Sequence, residues 1–392
     1  MISVDQAFDL IQSQTPRSQP TSVPVSDALG LVLWEPVTAP FHLPSFRQSA
    51  MDGYALQLSS NHYVVSGTSK AGDSRQIRLT EGHACRIFTG ALVPENADTV
   101  VVQEHVHPSN GQICVLKLPE KGANIRAIGE QTRKGHTLLP ANHRLTPASI
   151  GLLAAFGIEE VSVYKKPSVG ILVTGNELIT PGEPLADGKI YDSNSIMLRS
   201  ALIQQGIEDI TIHRVPDELH TIAATLVKMI DSFDILVLSG GISVGDYDFV
   251  REALTLNKVD EIFYKVKQKP GKPLWFGQKD RSIVFGLPGN PASALTCYYL
   301  YVGPAIAQMM GQPYSGERWH TASITTPIHS PGDRALFLKA LHHQGSIQIL
   351  GQQNSSMLLS YTQANALAYV PEKISALKKG DPIQFITLPS LN

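Results

Sequence analysis

Three short runs set the strongest limit on what this chain can fold into. Residues 168–174 (SVGILVT), 234–238 (DILVL) and 282–285 (SIVF) are largely apolar without alternation. A strand that is apolar on both faces must be covered on both faces, as the inner strands of a parallel sheet are. The segments between these runs have helical spacing. Residues 194–205 end at Gly206, and 218–230 place Leu219, Ile222, Ala223, Leu226, Val227 and Ile230 on one stripe. Further helices are expected at 249–256 and, as one long element, at 292–310, with a short strand at 209–213. Strands alternating with helices predict βαβ units and a mainly parallel, doubly wound α/β domain after Pro167.

The flanks read differently. Ser3 is placed to cap a helix over 4–12, and Thr146-Pro147 to start one that ends at Gly157. Between about 40 and 139 lie short β-type runs (YVVSG, HACRIFTG, DTVVVQEHVH, QICVLKL) separated by Gly, Pro and Asn. After 316 come HTASITTPI, ALFLKAL, SIQIL, ALAYVP and DPIQFITL. The expected organisation is multidomain α/β and β. A linking part spans 1–39 and 140–166, a β-rich insert 40–139, the α/β domain 167–315 and a C-terminal β-barrel-like domain 316–392.

Composition narrows the partners. At 392 residues the chain is too long for one core. With 43% hydrophobic and 17% charged residues it is a folded chain rather than a disordered one. A net charge of −2 implies no general polyanion surface, so any anion site must be built locally. Aromatics are not interleaved with basic clusters, so nucleic acid is not an expected partner. Cys85, Cys114 and Cys297 are scattered and odd in number, which excludes a disulfide scaffold. No basic-then-apolar leader and no membrane-length apolar run is present, so a cytoplasmic location is expected.

In an open parallel sheet, ligands bind beyond the carboxyl ends of the strands. The chemically unusual residues of this chain sit at those predicted ends: Gly175-Asn176-Glu177, then Pro216-Asp217, then 239–248 (SGGISVGDYD), then Leu287-Pro288-Gly289-Asn290-Pro291. Gly240, Gly241 and Gly245, with Ser239 and Ser243, allow close backbone approach to a phosphate or oxyanion. A tight turn that merely needs glycine is the plainer reading of Gly240-Gly241 alone. Pro291 suits the first turn of a helix whose N-terminus faces the crevice. Glu177, Asp217, Asp246 and Asp248 fall in the same crevice, where carboxylates beside phosphates commonly hold Mg²⁺. Asp217 is also a plausible helix N-cap. Lys269-Pro270-Gly271-Lys272-Pro273 is a stiff loop with two ammonium groups suited to a small multivalent anion, and Arg334 and Lys339 are candidates to add charge. Zinc-type histidine spacing, G-x-G-x-x-G and Walker A are all absent.

Six strings, in one order, resemble a single family. They are Ser49-Ala50-Met51-Asp52-Gly53-Tyr54-Ala55; Phe88-Thr89-Gly90-Ala91 with Val93-Pro94; Thr174-Gly175-Asn176-Glu177-Leu178 with Pro181-Gly182 and Ile190-Tyr191-Asp192-Ser193-Asn194; 239–245 (SGGISVG); 269–273 (KPGKP); and 286–291 (GLPGNP). The resemblance is to the molybdopterin molybdenumtransferases, the MoeA, Cnx1 E-domain and gephyrin E-domain family. It implies an elongated homodimer with a MogA-like α/β domain and an insert reaching the partner's α/β domain. The implied reaction takes adenylylated molybdopterin and molybdate to molybdenum cofactor and AMP with Mg²⁺. The resemblance also implies a supplying adenylyltransferase, and molybdoenzymes or their chaperones as recipients.

Carried over by position, Glu177, Asp217 and Asp248 serve the cation and pyrophosphate. Lys269, Lys272, Arg334 and Ser355 contact molybdate and phosphate. Pro288 and Pro291 shape the adjoining loop, and Asp52 and Thr89 come from the insert. Gln131, Pro216 and Lys339 depart from the family pattern. The alternatives are an adenylyltransferase-like enzyme, against which the SAMDGYA segment and β lobes weigh, and a gephyrin-type scaffold or cofactor carrier, against which the Lys269/Lys272 and Glu177/Asp248 set weighs.

Overall fold

In a computed structural model of the chain, describing residues 1–242, 249–313, 319–330 and 332–389, the apolar runs are strands of one six-stranded sheet. Val169–Thr174, Ile235–Ser239 and Ser282–Leu287 are buried at every position. Their side chains divide between two cores with a period of two. Val169, Ile171, Val173, Ile235, Val237, Ile283, Phe285 and Leu287 enter one core, with Leu198 and Leu202 of helix Asn194–Gln204. Leu172, Leu236, Leu238 and Val284 enter the other, with Ile222, Leu226, Met229 and Ile230 of helix Leu219–Ser232 and Leu254 of helix Phe249–Leu256. Burial on both faces is therefore what makes these strands uniformly apolar.

The sheet order is Ile210–Val215, Val169–Thr174, Ile235–Ser239, Ser282–Leu287, Trp275–Lys279, Asp260–Tyr264. The first four strands pair in parallel, and Trp275–Lys279 runs against them, pairing antiparallel with Ser282–Leu287 on one side and Asp260–Tyr264 on the other. The antiparallel pair was not expected. Its strands mix polar residues and glycine (DEIFY, WFGQK), because the outer one lies at a sheet edge and has less to bury.

The long helix expected at 292–310 is present without interruption as Pro291–Cys297, a π-helical turn at Tyr298–Val302 and Gly303–Met309. Pro304 has no N–H to give to the carbonyl one turn back, which favours a widened turn here.

The C-terminal β runs close into a five-stranded barrel. Ala335–His343 pairs with Ser346–Ile349 on one side and Ala366–Val370 on the other, and Trp319–Ile324 and Pro382–Thr387 complete the ring. Ile324, Ala340, Ile347, Ala366, Ala368, Val370, Ile383 and Phe385 fill its core. Gln268–Lys269 adds a short parallel strand to Ala335–His343, which ties the basic loop to the barrel.

The chain forms two compact units, Met1–Thr21 with Val163–Asn392, and Ser22–Ser162. The second contains a six-stranded sheet ordered Thr99–Val102, Gly53–Leu56, His83–Ile87, His62–Ser69, Gln112–Val115, Val106–Ser109. Ser3 and Thr146 both cap their helices as expected, each in a reciprocal capping box, over Val4–Gln14 and Pro147–Ala155. Among the described residues no helix is long and apolar enough to cross a membrane.

Gly53 explains one glycine of the SAMDGYA string. It lies between strands, with the Val101 carbonyl and the Val102 Cα where a Cβ would stand. Gly53→Ala should cost about 1–3 kcal/mol, as overpacking against backbone does. Hydrogen exchange within Ser22–Ser162 reads this directly; unchanged protection there would refute the close approach.

Candidate active site

The strand register decides where the loops open. Thr174 is level with Val215, Val173 with Ser239, and Ser239 with Leu287, so four strands end at one edge of the sheet. Beyond that edge lies a cavity of about 560 Å³, whose walls include Thr174, Glu177, Asn194, Ser239, Gly240 and Gly289. A second cavity of about 670 Å³ is walled by Lys269, Lys272, Arg334, Asn354 and Ser355. Pro273, Pro288 and Asn290 belong to both walls. The acidic end and the basic end therefore share a boundary, and Glu177, Lys269, Lys272, Pro288, Pro291, Arg334 and Ser355 all line one or other cavity.

Two glycines let the crevice form. Gly240 has φ +95°, and a Cβ on it would stand 2.6 Å from the Thr174 carbonyl oxygen. Gly241 has φ +62°, and a Cβ would stand 2.7 Å from Val250 Cγ2. Both positions combine a left-handed backbone with a close neighbour, which only glycine tolerates without strain. Ser243, Gly245, Asp246 and Asp248 lie outside the described residues.

Asp217 has a different place from the one expected. It is absent from both cavity walls. Its carboxylate accepts from the Thr174 hydroxyl and from the Asn176 amide at 3.1 Å, while its own amide donates to Asn176 Oδ1 at 3.2 Å. It thereby holds the turn that carries Glu177. Nor is it the helix cap, since Leu219–Ser232 begins after Glu218.

The helix N-terminus at Pro291 is also less open than expected. Pro291 has no N–H, and the Ser293 amide donates to the Ser355 carbonyl at 3.2 Å. Asn290 Nδ2 donates to Ser355 Oγ at 3.1 Å. These contacts join the 288–291 loop to the loop carrying Ser355. Arg334, half-buried, is paired with Asp333 at 3.2 Å.

Sequence reasoning missed two residues on the first cavity. Asn194 Nδ2 donates to Ser239 Oγ at 2.9 Å and to the Gly289 carbonyl at 2.7 Å, while its Oδ1 is buried with no partner among the described residues. Asp192 is 1% exposed and accepts from the Ser195 amide, the Ser195 hydroxyl and Arg214 Nε at 3.0, 2.5 and 2.9 Å. Burial opposes its charge, but the Ser195 hydroxyl and amide and the Arg214 guanidinium outweigh that and hold its carboxyl below the ordinary value. Only the Asp192-Ser193-Asn194 string hinted at either.

Lys339, a candidate to add charge to the anion site, lines neither cavity. It is 3% exposed, and its ammonium donates to the carbonyls of Gln352, Asn354 and Met357 at 2.9, 3.5 and 3.0 Å. Asp52 and Thr89 sit in the Ser22–Ser162 unit, where Asp52 Oδ1 accepts from the Thr89 amide at 2.8 Å and the Thr89 hydroxyl at 2.7 Å. Those two bonds, the amide first, hold the Asp52 carboxyl below its ordinary value.

A doubly wound α/β domain whose strand ends open on adjoining cavities, one with Glu177 and one with Lys269, Lys272 and Arg334, followed by a closed barrel, defines a class of multidomain α/β and β proteins. Comparison with known proteins narrows the class. Residues 2–157 match the model of the MoeA N-terminal region (domain I and II), 170–308 a probable molybdopterin binding domain, and 321–388 the MoeA C-terminal region (domain IV). The chain is 35% identical to the molybdopterin molybdenumtransferase of Haemophilus influenzae, over 98% of each chain. It is 33% identical to that of a Nostoc species, over 97% of this chain and 92% of the relative. A solved molybdopterin biosynthesis MoeA protein from Pyrococcus horikoshii superimposes with a TM-score of 0.87, at 28% identity and 100% coverage of both chains. The chain belongs to the MoeA family of molybdopterin molybdenumtransferases.

The Asp192 contacts make a pH prediction. Its pKa is lowered by folding, so its stabilisation is complete above the ordinary carboxylate value of 3.8 and is lost as pH falls through the lower folded value. Asp192→Asn should cost about 1.5–3 kcal/mol at pH 7, the worth of hydrogen bonds to a charged group. That deficit should shrink below pH 4. Urea unfolding at both pH values tests it; a variant equal to wild type at pH 7 would refute the assignment.

Proposed function

We propose that this chain transfers molybdenum from molybdate to adenylylated molybdopterin and releases AMP. The observation that carries the reading is the shared wall of Pro273, Pro288 and Asn290 between the acidic and cationic cavities. A ligand with a pyrophosphate at the sheet edge and a reacting group toward the basic loop would span both.

Each residue has a role in this reading. Molybdate is a dianion, and Lys269, Lys272 and Arg334 line one cavity with three positive groups to balance it. Ser355 and the Asn290 side chain supply neutral hydrogen bonds beside them. Gly240 and Gly241, with Ser243 and Gly245, supply the backbone approach to phosphate. Asn194 Oδ1 is an unmatched acceptor for a ligand N–H or O–H. Release of AMP is a displacement at phosphorus, in which positioning and charge stabilisation do the catalysis and no protein nucleophile is needed.

Mg²⁺ fits the donor set. It typically takes one or two carboxylates and leaves its other positions to water and substrate phosphates. Glu177 lines the cavity as such a carboxylate, and Asp217 holds the Glu177 turn; the family resemblance offers Asp248, outside the described residues, as the second. The cation would neutralise charge developing on the phosphate oxygens. Among the described residues no cluster of three acids, histidines or cysteines holds a metal without substrate.

The family resemblance supports a homodimer in which Asp52 and Thr89 of one subunit serve the crevice of the other. It also supports the division of the chain at 39, 139, 166 and 315. We place the protein in the cytoplasm, between an adenylyltransferase that supplies its substrate and the molybdoenzymes or chaperones that receive the cofactor.

The decisive experiment is AMP release from adenylylated molybdopterin with Mg²⁺, with and without molybdate. Molybdate-dependent AMP is expected; its absence sinks the proposal, and AMP transfer from ATP to molybdopterin would favour the adenylyltransferase alternative. Glu177→Gln should slow release about 10²-fold, a typical loss for one transition-state charge contact. Lys272→Met should raise the half-saturating molybdate concentration at least about tenfold, which corresponds to about 1.4 kcal/mol. Unchanged kinetics would remove that residue from the site.

A further inference from the structure

An oxyanion cavity needs more than cations. Main-chain carbonyl oxygens carry partial negative charge, and a loop that lines the cavity brings as many carbonyls as amides. Each carbonyl left facing a dianion weakens the site, so carbonyls must be turned away and held.

On both walls of the cationic cavity a buried side chain donates to loop carbonyls. On the barrel side, Lys339 is 3% exposed, on strand Ala335–His343. Its ammonium donates to the carbonyls of Gln352, Asn354 and Met357, the segment that carries Ser355. The face of Tyr361 lies 5.5 Å from it. No carboxylate pairs with it among the described residues. A buried ammonium without a counter-ion is costly, and burial lowers the Lys339 pKa. Such a group persists where the surrounding oxygens are organised around it.

On the opposite side, Gln268 is fully buried beneath the basic loop. Its Nε2 donates to the carbonyls of Pro270 and Gly271 at 3.1 and 3.4 Å, and lies 3.7 Å from Cys297 Sγ. Its Oε1 accepts from the Tyr301 hydroxyl, which the widened helical turn at Tyr298–Val302 presents. With its acceptor end occupied, the amide has its donor end committed to the loop carbonyls between Lys269 and Lys272.

We propose that Lys339 and Gln268 are positioning residues that set oxyanion affinity: each draws the carbonyls of one cavity loop inward, leaving the cationic and hydroxyl groups of Lys269, Lys272 and Ser355 to face the anion. This rests on the reading of the cavity as the molybdate site. The residues act on ground-state binding of the oxyanion, so their loss should appear in affinity before it appears in the rate at saturation.

The test uses Lys339→Met and Gln268→Met, which keep volume and burial but remove the donors, with Lys339→Arg as the conservative variant. Molybdate and tungstate binding to the full chain is measured by calorimetry, alongside AMP release over a range of molybdate concentrations and the thermal midpoint. Each Met variant should lose at least about tenfold in oxyanion affinity while losing less than about threefold in rate at saturating molybdate. Lys339→Arg should recover most of the affinity. Met variants that bind as wild type does overturn the inference. So does a matched fall of affinity, saturated rate and thermal midpoint in both, which reduces the residues to supports of the fold. Should Lys339→Met fail to fold, Gln268→Met decides alone. A wild-type protein that binds neither oxyanion removes the molybdate reading of the cavity and this inference with it.

Discussion

Parallel pairing in register is the constraint on which the rest of the molecule depends. Thr174, Val215, Ser239 and Leu287 end within one residue of a common level only because four strands run the same way and their ladders align. Each strand then delivers its following loop to a common crevice. Parallel strands need crossovers, and the crossovers supply the helices that bury both faces. The same requirement therefore accounts for the apolar runs, the helical stripes and the place of the site.

Crowding opposite charges in one crevice carries a cost, and the structure offsets it by giving most polar groups a fixed partner. Asp192 is bound by Ser195 and Arg214, Asp217 by Thr174 and Asn176, and Asn290 by Ser355. These contacts hold the turns and leave Glu177, Lys269 and Lys272 to line the cavities. Preorganisation of this kind lets a site act without rearranging its dipoles when charge develops. The barrel takes part as well: Gln268–Lys269 pairs with Ala335–His343, so the basic loop and the Ser355 loop are anchored to the same strand and its neighbours.

Much of this was legible before any coordinates. The three apolar runs, the helical stripes and the two capped helices have local causes, and local causes are visible in sequence. The antiparallel pair Asp260–Tyr264 and Trp275–Lys279 was not, because its mixed composition carries no clear period. The widened turn at Tyr298–Val302 was signalled only by Gly303-Pro304, within a segment that reads as, and is, continuous helix.

The sequence by itself determined the α/β alternation, the loops that carry glycine, acid and lysine, and the string of motifs that marks the family. Tertiary structure alone decided which of those polar residues face a ligand and which are spent on the protein. Lys339 and Arg334 look alike in the chain, yet one is buried against carbonyls and the other lines a cavity. Asp217 and Glu177 look alike too, yet one ties down a turn and the other lines the crevice. The reason is physical: a side chain's partners are set by residues outside its own segment, and a hydrogen bond such as that from Thr174 to Asp217, which crosses 43 positions, leaves no local pattern.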